Sequence, residues 1–250
     1  MPLKNSIKST INVVSFEANI AWDRSILWLN IILIATFSLF CYKSQLYSEN
    51  PYSSDIGRRE NLYVMKEAIG LSSNIYVLIL TITCVLTWTR ILNRGILKTL
   101  LSLPISRKTF FICNILNIFI PPFIIFLSSH IFAGTYILNH ISVNDLLLLV
   151  LLVLLQTLFT VSIATFTSLI LKNGIITLFL LLSIFTLPSQ FPELKYIDSR
   201  SFYEKALTYM WSLERHIPYI DAIKFIGITL SLMLLILMLS YIYFLKMDID

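Results

Sequence analysis

One imidazole, His130, stands well inside an apolar stretch of this 250-residue chain, beside Ser128 and Ser129. An imidazole there can relay a proton, hold a metal or anchor a hydrogen-bonded contact between helices. His140 and His216 stand at no metal-ligand spacing to each other or to the cysteines, which favours the hydrogen-bonded contact. A second polar set lies within another apolar stretch: Thr157, Thr160, Ser162, Thr165, Thr167 and Ser168, with Gln156. Hydroxyls in such a place line a pathway or bond one helix to the next, and the second role is the commoner. His130, Gln156 and Thr160 are therefore the candidate pathway residues.

A different chemistry is concentrated in residues 90–108, a bridge between two apolar blocks. It carries Arg90, Arg94, Lys98, Arg107 and Lys108 and no acidic residue. On a helix, Arg90, Arg94 and Lys98 fall on one face, while Leu92, Ile96, Leu100 and Leu103 form a separate apolar stripe. Pro104 ends such a helix by pushing the preceding residue out of the α region. Ser106 can cap the helix that follows, with Arg107 and Lys108 at headgroup level. A 19-residue amphipathic bridge exceeds what a turn requires; docking a cytoplasmic partner accounts for it better than basic anchoring alone.

Other chemistries lack their residues. No Gly-x-x-x-x-Gly-Lys-Ser/Thr loop exists, and the six glycines are scattered, so ATP would have to be bound elsewhere. Neither His-Glu-x-x-His nor Gly-x-Ser-x-Gly occurs, which leaves hydrolysis without candidates. No carboxylate stands in mid-span; Asp145 and Asp221 fall at helix starts. That counts against an ion-coupled carrier.

The elements that must hold these residues are membrane helices. Hydrophobic residues make up 57% of the chain, charged ones 13%, and mean hydropathy is +0.80. A soluble domain carries about 25% charged residues, and apolar blocks of roughly 18 residues or more span a bilayer core of about 30 Å. The expected architecture is all-α with six spans near 25–42, 71–89, 110–138, 145–171, 174–191 and 221–245. Pro121-Pro122 should kink the third, Lys172-Asn173 should make a tight hairpin, and the fifth is short before Pro188 and Pro192. No cleavable leader is expected. Cys41, Cys84 and Cys113 suggest small core residues rather than disulfides.

With six spans the termini share a side. Placing them inside puts Lys4, Lys8, Arg24, Arg90, Arg94, Lys98, Arg107, Lys108, Lys172 and Lys246 there, against Glu17, Asp23, Asp248 and Asp250. Lys and Arg divide almost evenly between the sides, so the density of the basic bridge decides for N-in, C-in. That topology also explains the pI near 9.1 without nucleic acid. Residues 1–24 have the periodicity of an interfacial helix. An outer loop is expected over 43–70 and an outer segment over 192–220, where Phe202, Ala206, Tyr209, Met210 and Leu213 make a helical stripe.

The bridge then offers a likeness. Gly95-Ile96-Leu97-Lys98-Thr99-Leu100-Leu101-Ser102-Leu103-Pro104-Ile105-Ser106-Arg107 resembles the segment after the second span of ABC-2 type transporter permeases, with its Leu-Leu pair and Leu-Pro-Ile-Ser-Arg ending. Upstream, Ile91, Leu92 and Asn93 stand where that family has an acidic stretch, and Ile96 where it favours Thr. The resemblance implies a coupling helix seated on a separate ATPase subunit, through Arg94, Gly95, Lys98, Leu100, Leu101, Pro104, Ser106 and Arg107. It implies no cofactor in this chain, ATP and Mg being bound by that ATPase, and a homo- or heterodimer of permeases in the plasma membrane, most often a prokaryotic cytoplasmic one. The chain itself would be a transport subunit and not an enzyme, exporting an amphipathic, lipid-like, peptide or drug substrate. The alternatives are a membrane scaffold without transport and, less favoured, an ion-coupled carrier.

Overall fold

A computed structural model describes residues 24–48, 58–93, 106–138, 143–186 and 219–247. They form six helices and, among the described residues, no strand: α1 Arg24–Ser48, α2 Arg58–Asn93, α3 Arg107–Leu138, α4 Val143–Leu171, α5 Gly174–Thr186 and α6 Tyr219–Lys246. Four stretches are long and apolar enough to cross a membrane: Val64–Leu92, Arg107–Tyr136, Leu146–Leu171 and Ile226–Lys246. The protein is therefore a helical membrane protein. Of the six expected spans, the first and fifth are represented by shorter apolar helices, Asn30–Ser44 and Gly174–Phe185. The 13 residues of α5 reach only about 20 Å at 1.5 Å per residue.

The helix α2 begins at Arg58 rather than near 71, so the loop expected over 43–70 contains helical residues at both ends. The reason is visible in the packing. Val64, Met65, Ala68 and Ile69 form a buried stripe that Lys66 and Glu67 interrupt in the sequence and thereby lower its hydropathy. The interfacial helix expected over 1–24 lies, but for Arg24, outside the described residues, as do bridge residues 94–105 and the outer segment over 192–218.

The helix directions follow from which side chains meet. On α2 and α3, Trp88 meets Phe111, Tyr76 meets Phe126 and Ser72 meets His130, so the two run antiparallel. On α2 and α4, Tyr76 meets Thr157 and Trp88 meets Thr165, so these run parallel. The start of α3 meets the end of α6, where Phe110 stacks on Phe244. Helices α2, α4 and α6 thus share one direction. Two of them, α2 and α4, form the middle of the bundle: α2 packs on α1, α3, α4 and α5, and α4 packs on α2, α3, α5 and α6.

The Lys172-Asn173 hairpin has defined geometry. Lys172 adopts φ 51°, turning the chain out of α4, and Asn173 caps α5 by accepting from the amides of Ile175 and Ile176 at 3.1 and 3.3 Å. The turn brings Gly174 against α2, where an added Cβ would lie 3.3 Å from Thr89 Oγ1. Pro121 and Pro122 are both contained within the continuous helix α3.

Gly174→Val should lower stability through this contact, by about 1–3 kcal/mol if the branched side chain overpacks. Gly174→Ala should lower it less. Unfolding midpoints of the detergent-solubilised variants test the order.

Candidate functional site

The apolar setting gives His130 few ways to be satisfied, and the fold supplies all of them from within. His130 is fully buried on α3. Its Nδ1 lies 3.0 Å from the Phe126 carbonyl one turn earlier, and a carbonyl only accepts, so Nδ1 carries the proton. In the neutral ring Nε2 is then the acceptor, and the Ser72 hydroxyl of α2 donates to it across 2.7 Å. The Ile69 carbonyl, 3.1 Å from Ser72 Oγ, competes for that same hydroxyl proton. Ser38 of α1 lies 3.5 Å from Nδ1 and 3.3 Å from Ser129 Oγ. One imidazole thereby ties α1, α2 and α3 together.

Aromatic rings extend this layer. Phe126 lies 4.3 Å from the imidazole, centroid to centroid, and stacks at 4.0 Å on Tyr76, whose hydroxyl bonds Thr157 of α4 at 2.5 Å. Tyr42 approaches His130 edge-on at 6.0 Å, and its buried hydroxyl has no hydrogen-bond partner among the described residues. Gln156 and Thr160 are buried on α4 beside and one turn beyond Thr157. The three candidate pathway residues therefore belong to the packed interior of one chain. Ser128 instead donates to its own helix, at the Ile124 carbonyl 2.6 Å away.

The hydroxyls of α4 divide into two uses. Ser162, Thr167 and Ser168 donate to carbonyls of their own helix. Thr157 and Thr165 reach across to α2: Thr157 bonds Tyr76 while donating to the Val153 carbonyl of its own helix, and Thr165 receives the Trp88 indole N–H at 3.2 Å with Cys84 Sγ 3.5 Å away. All three cysteines are buried and none forms a disulfide among the described residues. No group of three metal-ligating side chains occurs among the described residues.

The second region is the end of the bundle where the bridge leaves and returns. Arg90 lies in the last turn of α2. Ser106 caps α3: its Oγ accepts from the Thr109 amide at 3.1 Å and its carbonyl from the Phe110 amide at 3.0 Å. Arg107 turns inward, Nη1 donating to the Leu245 and Met247 carbonyls, both at 3.1 Å. Of the expected partner contacts, Ser106 and Arg107 lie here, while Arg94, Gly95, Lys98, Leu100, Leu101 and Pro104 fall outside the described residues. Lys108, Lys172 and Lys246 share this end with Arg90 and Arg107.

Ser38, Ser72, Tyr76 and the aromatic residues around Phe244 were not evident as site residues from the sequence. The available signal was modest: Ser38 in the middle of the first apolar block, and Ser72-Ser73 at the edge of the second. No known family model matches this chain, and no curated protein matches it.

A double-mutant cycle of Ser72→Ala and His130→Phe should give a coupling of about 0.6 kcal/mol, and at most roughly 1.7, typical of hydrogen bonds between membrane helices. Denaturant titration in mixed micelles measures it. A coupling indistinguishable from zero would deny the Ser72–His130 bond any part in holding α2 to α3.

Proposed function

We propose that this chain is the membrane-embedded subunit of an ABC-2 type exporter, driven by ATP hydrolysed on a separate subunit. The observation that carries the reading is the basic bridge over 90–108, joining two helices of membrane-spanning length and ending in Leu103-Pro104-Ile105-Ser106-Arg107. A docked ATPase would exert force there when it binds ATP and Mg, and a dimer of permeases would release cargo outward. The broad apolar faces of α5 and α6, including Phe179, Leu235 and Met238, suit contact with lipid or with the second permease. An apolar interior suits an amphipathic, lipid-like, peptide or drug cargo.

The orientation belongs to the same reading. Arg90, Arg107, Lys108, Lys172 and Lys246 gather at one end of the bundle, and basic residues near span ends favour the cytoplasmic side. The bridge would then face the cytoplasm of the cell, where an ATPase resides. An N-in, C-in arrangement of six spans, with α1 and α5 as the short ones, is part of the same proposal.

Co-purification tests the reading. The full-length chain should retain a partner with Walker motifs, and Leu100→Asp or Leu101→Asp should abolish most of that retention while leaving the helical content unchanged. Retention of a partner without nucleotide-binding motifs would instead support the scaffold reading. ATPase binding that survives both substitutions, together with charge reversal of Arg94 and Lys98, would remove the bridge as the coupling element.

A further inference from the structure

The bridge and α6 are far apart in sequence, yet the last residue of the Leu-Pro-Ile-Ser-Arg stretch is spent on α6. A helix leaves its last four carbonyls without intrahelical donors. At the end of α6, one guanidinium nitrogen of Arg107 supplies donors to two carbonyls there, those of Leu245 and Met247, each at 3.1 Å. Arg107 is only partly exposed and Lys108 beside it is exposed, so the two neighbouring cations have different surroundings.

The same turn of α6 is gripped by rings. Phe244, fully buried, stacks on Phe110 at 5.9 Å and meets Phe111 at 5.5 Å and Trp88 at 5.8 Å. Tyr241, one turn earlier, meets Phe111 at 5.6 Å. Beyond this end α6 packs chiefly on α4, and only 22% of its apolar window is buried, against 67% for α2 and 56% for α4. Its attachment to α3 is therefore concentrated at this end, where α3 begins.

From this geometry we infer that Arg107 is a strap between the bridge and α6, a positioning residue that carries displacement of the bridge into α6 rather than a contact for the partner. Residue 107 lies at the end of the bridge, where α3 begins, so a shift of the chain there pulls on the Leu245 and Met247 carbonyls and on the ring cluster around Phe244. Helix α6 packs along α4, which passes the movement to the middle of the bundle. The transmission rests on the exporter reading; the physical strap does not.

The test uses the full-length protein in lipid nanodiscs, with Arg107→Gln, Arg107→Lys as the conservative variant, and Lys108→Gln as the control. Hydrogen exchange over 241–247 should accelerate in Arg107→Gln by about tenfold, the scale of one charge-assisted hydrogen bond. It should be largely restored in Arg107→Lys and unchanged in Lys108→Gln, with α4 amides unaffected throughout. In complex with the co-purified ATPase, Arg107→Gln should keep the partner bound while hydrolysis no longer responds to the membrane subunit. Unchanged exchange over 241–247 overturns the strap. Faster exchange with normal coupling overturns the transmission, and loss of ATPase binding with normal exchange returns Arg107 to the partner interface. If the wild-type chain binds no ATPase, the exporter reading falls while the exchange result still decides the strap. Should Arg107→Gln fail to fold, Phe244→Leu loosens the same junction with the arginine intact, and must raise exchange over 241–247 for the strap to stand.

Discussion

Hydrocarbon offers no hydrogen bonds, so a polar group buried in a membrane helix must find its partner inside the protein. That constraint organises the interior of this bundle. Backbone groups are satisfied within the helices, and the remaining polar side chains have two outlets: back to a carbonyl of their own helix, or across to a neighbour. Ser162 and Ser168 take the first; Thr165 crosses to α2; Thr157, Ser72 and His130 do both, each bonding a carbonyl of its own helix as well as a neighbouring helix. The crossings that result fix which helices are adjacent and at what level, because each demands atoms within about 3 Å. Apolar packing against lipid-like neighbours specifies much less.

The crossings fall at two levels joined by α2. Toward one end, His130 gathers α1, α2 and α3, with Phe126 and Tyr76 carrying the contact to α4. Toward the other, Trp88 bonds Thr165 and packs on Phe111 and Phe244, which joins α4, α3 and α6. The polar atoms mark position while the rings around them fill volume. Among the described residues the outward faces of α5 and α6 are largely apolar, with Phe179, Leu235 and Met238 exposed, which fits surfaces free to meet lipid or another copy.

Long apolar helices were legible in the sequence because block length and low charge suffice to identify them, and the ends of α3, α4 and α6 fall within a few residues of expectation. The start of α2 was obscured because Lys66 and Glu67 dilute an apolar stripe that only packing reveals. His130 was readable as a hydrogen-bonded imidazole, but its partners were not: Ser38 and Ser72 lie 92 and 58 residues away, and no periodicity pairs them. Arg107 illustrates the limit most clearly. No pattern in the sequence pairs it with the carbonyls of Leu245 and Met247, which lie 138 and 140 residues further along the chain.

The shared direction of α2, α4 and α6 has an electrostatic consequence. Aligned peptide dipoles leave roughly half a negative charge at the C-terminal end of a helix, and here three such ends are gathered at one surface. Each has a cation close at hand: Arg90 in the last turn of α2, Lys172 immediately after α4, and Lys246 with Arg107 at the end of α6. Each pairing stabilises by about 0.3–1 kcal/mol, and together they relieve the mutual repulsion of parallel helix ends. Alongside the N-termini of α3 and α5 at the same end, the basic surface thus acts as a counter-charge to these helix ends, so the residues that would orient the protein in a membrane also stabilise its helix termini.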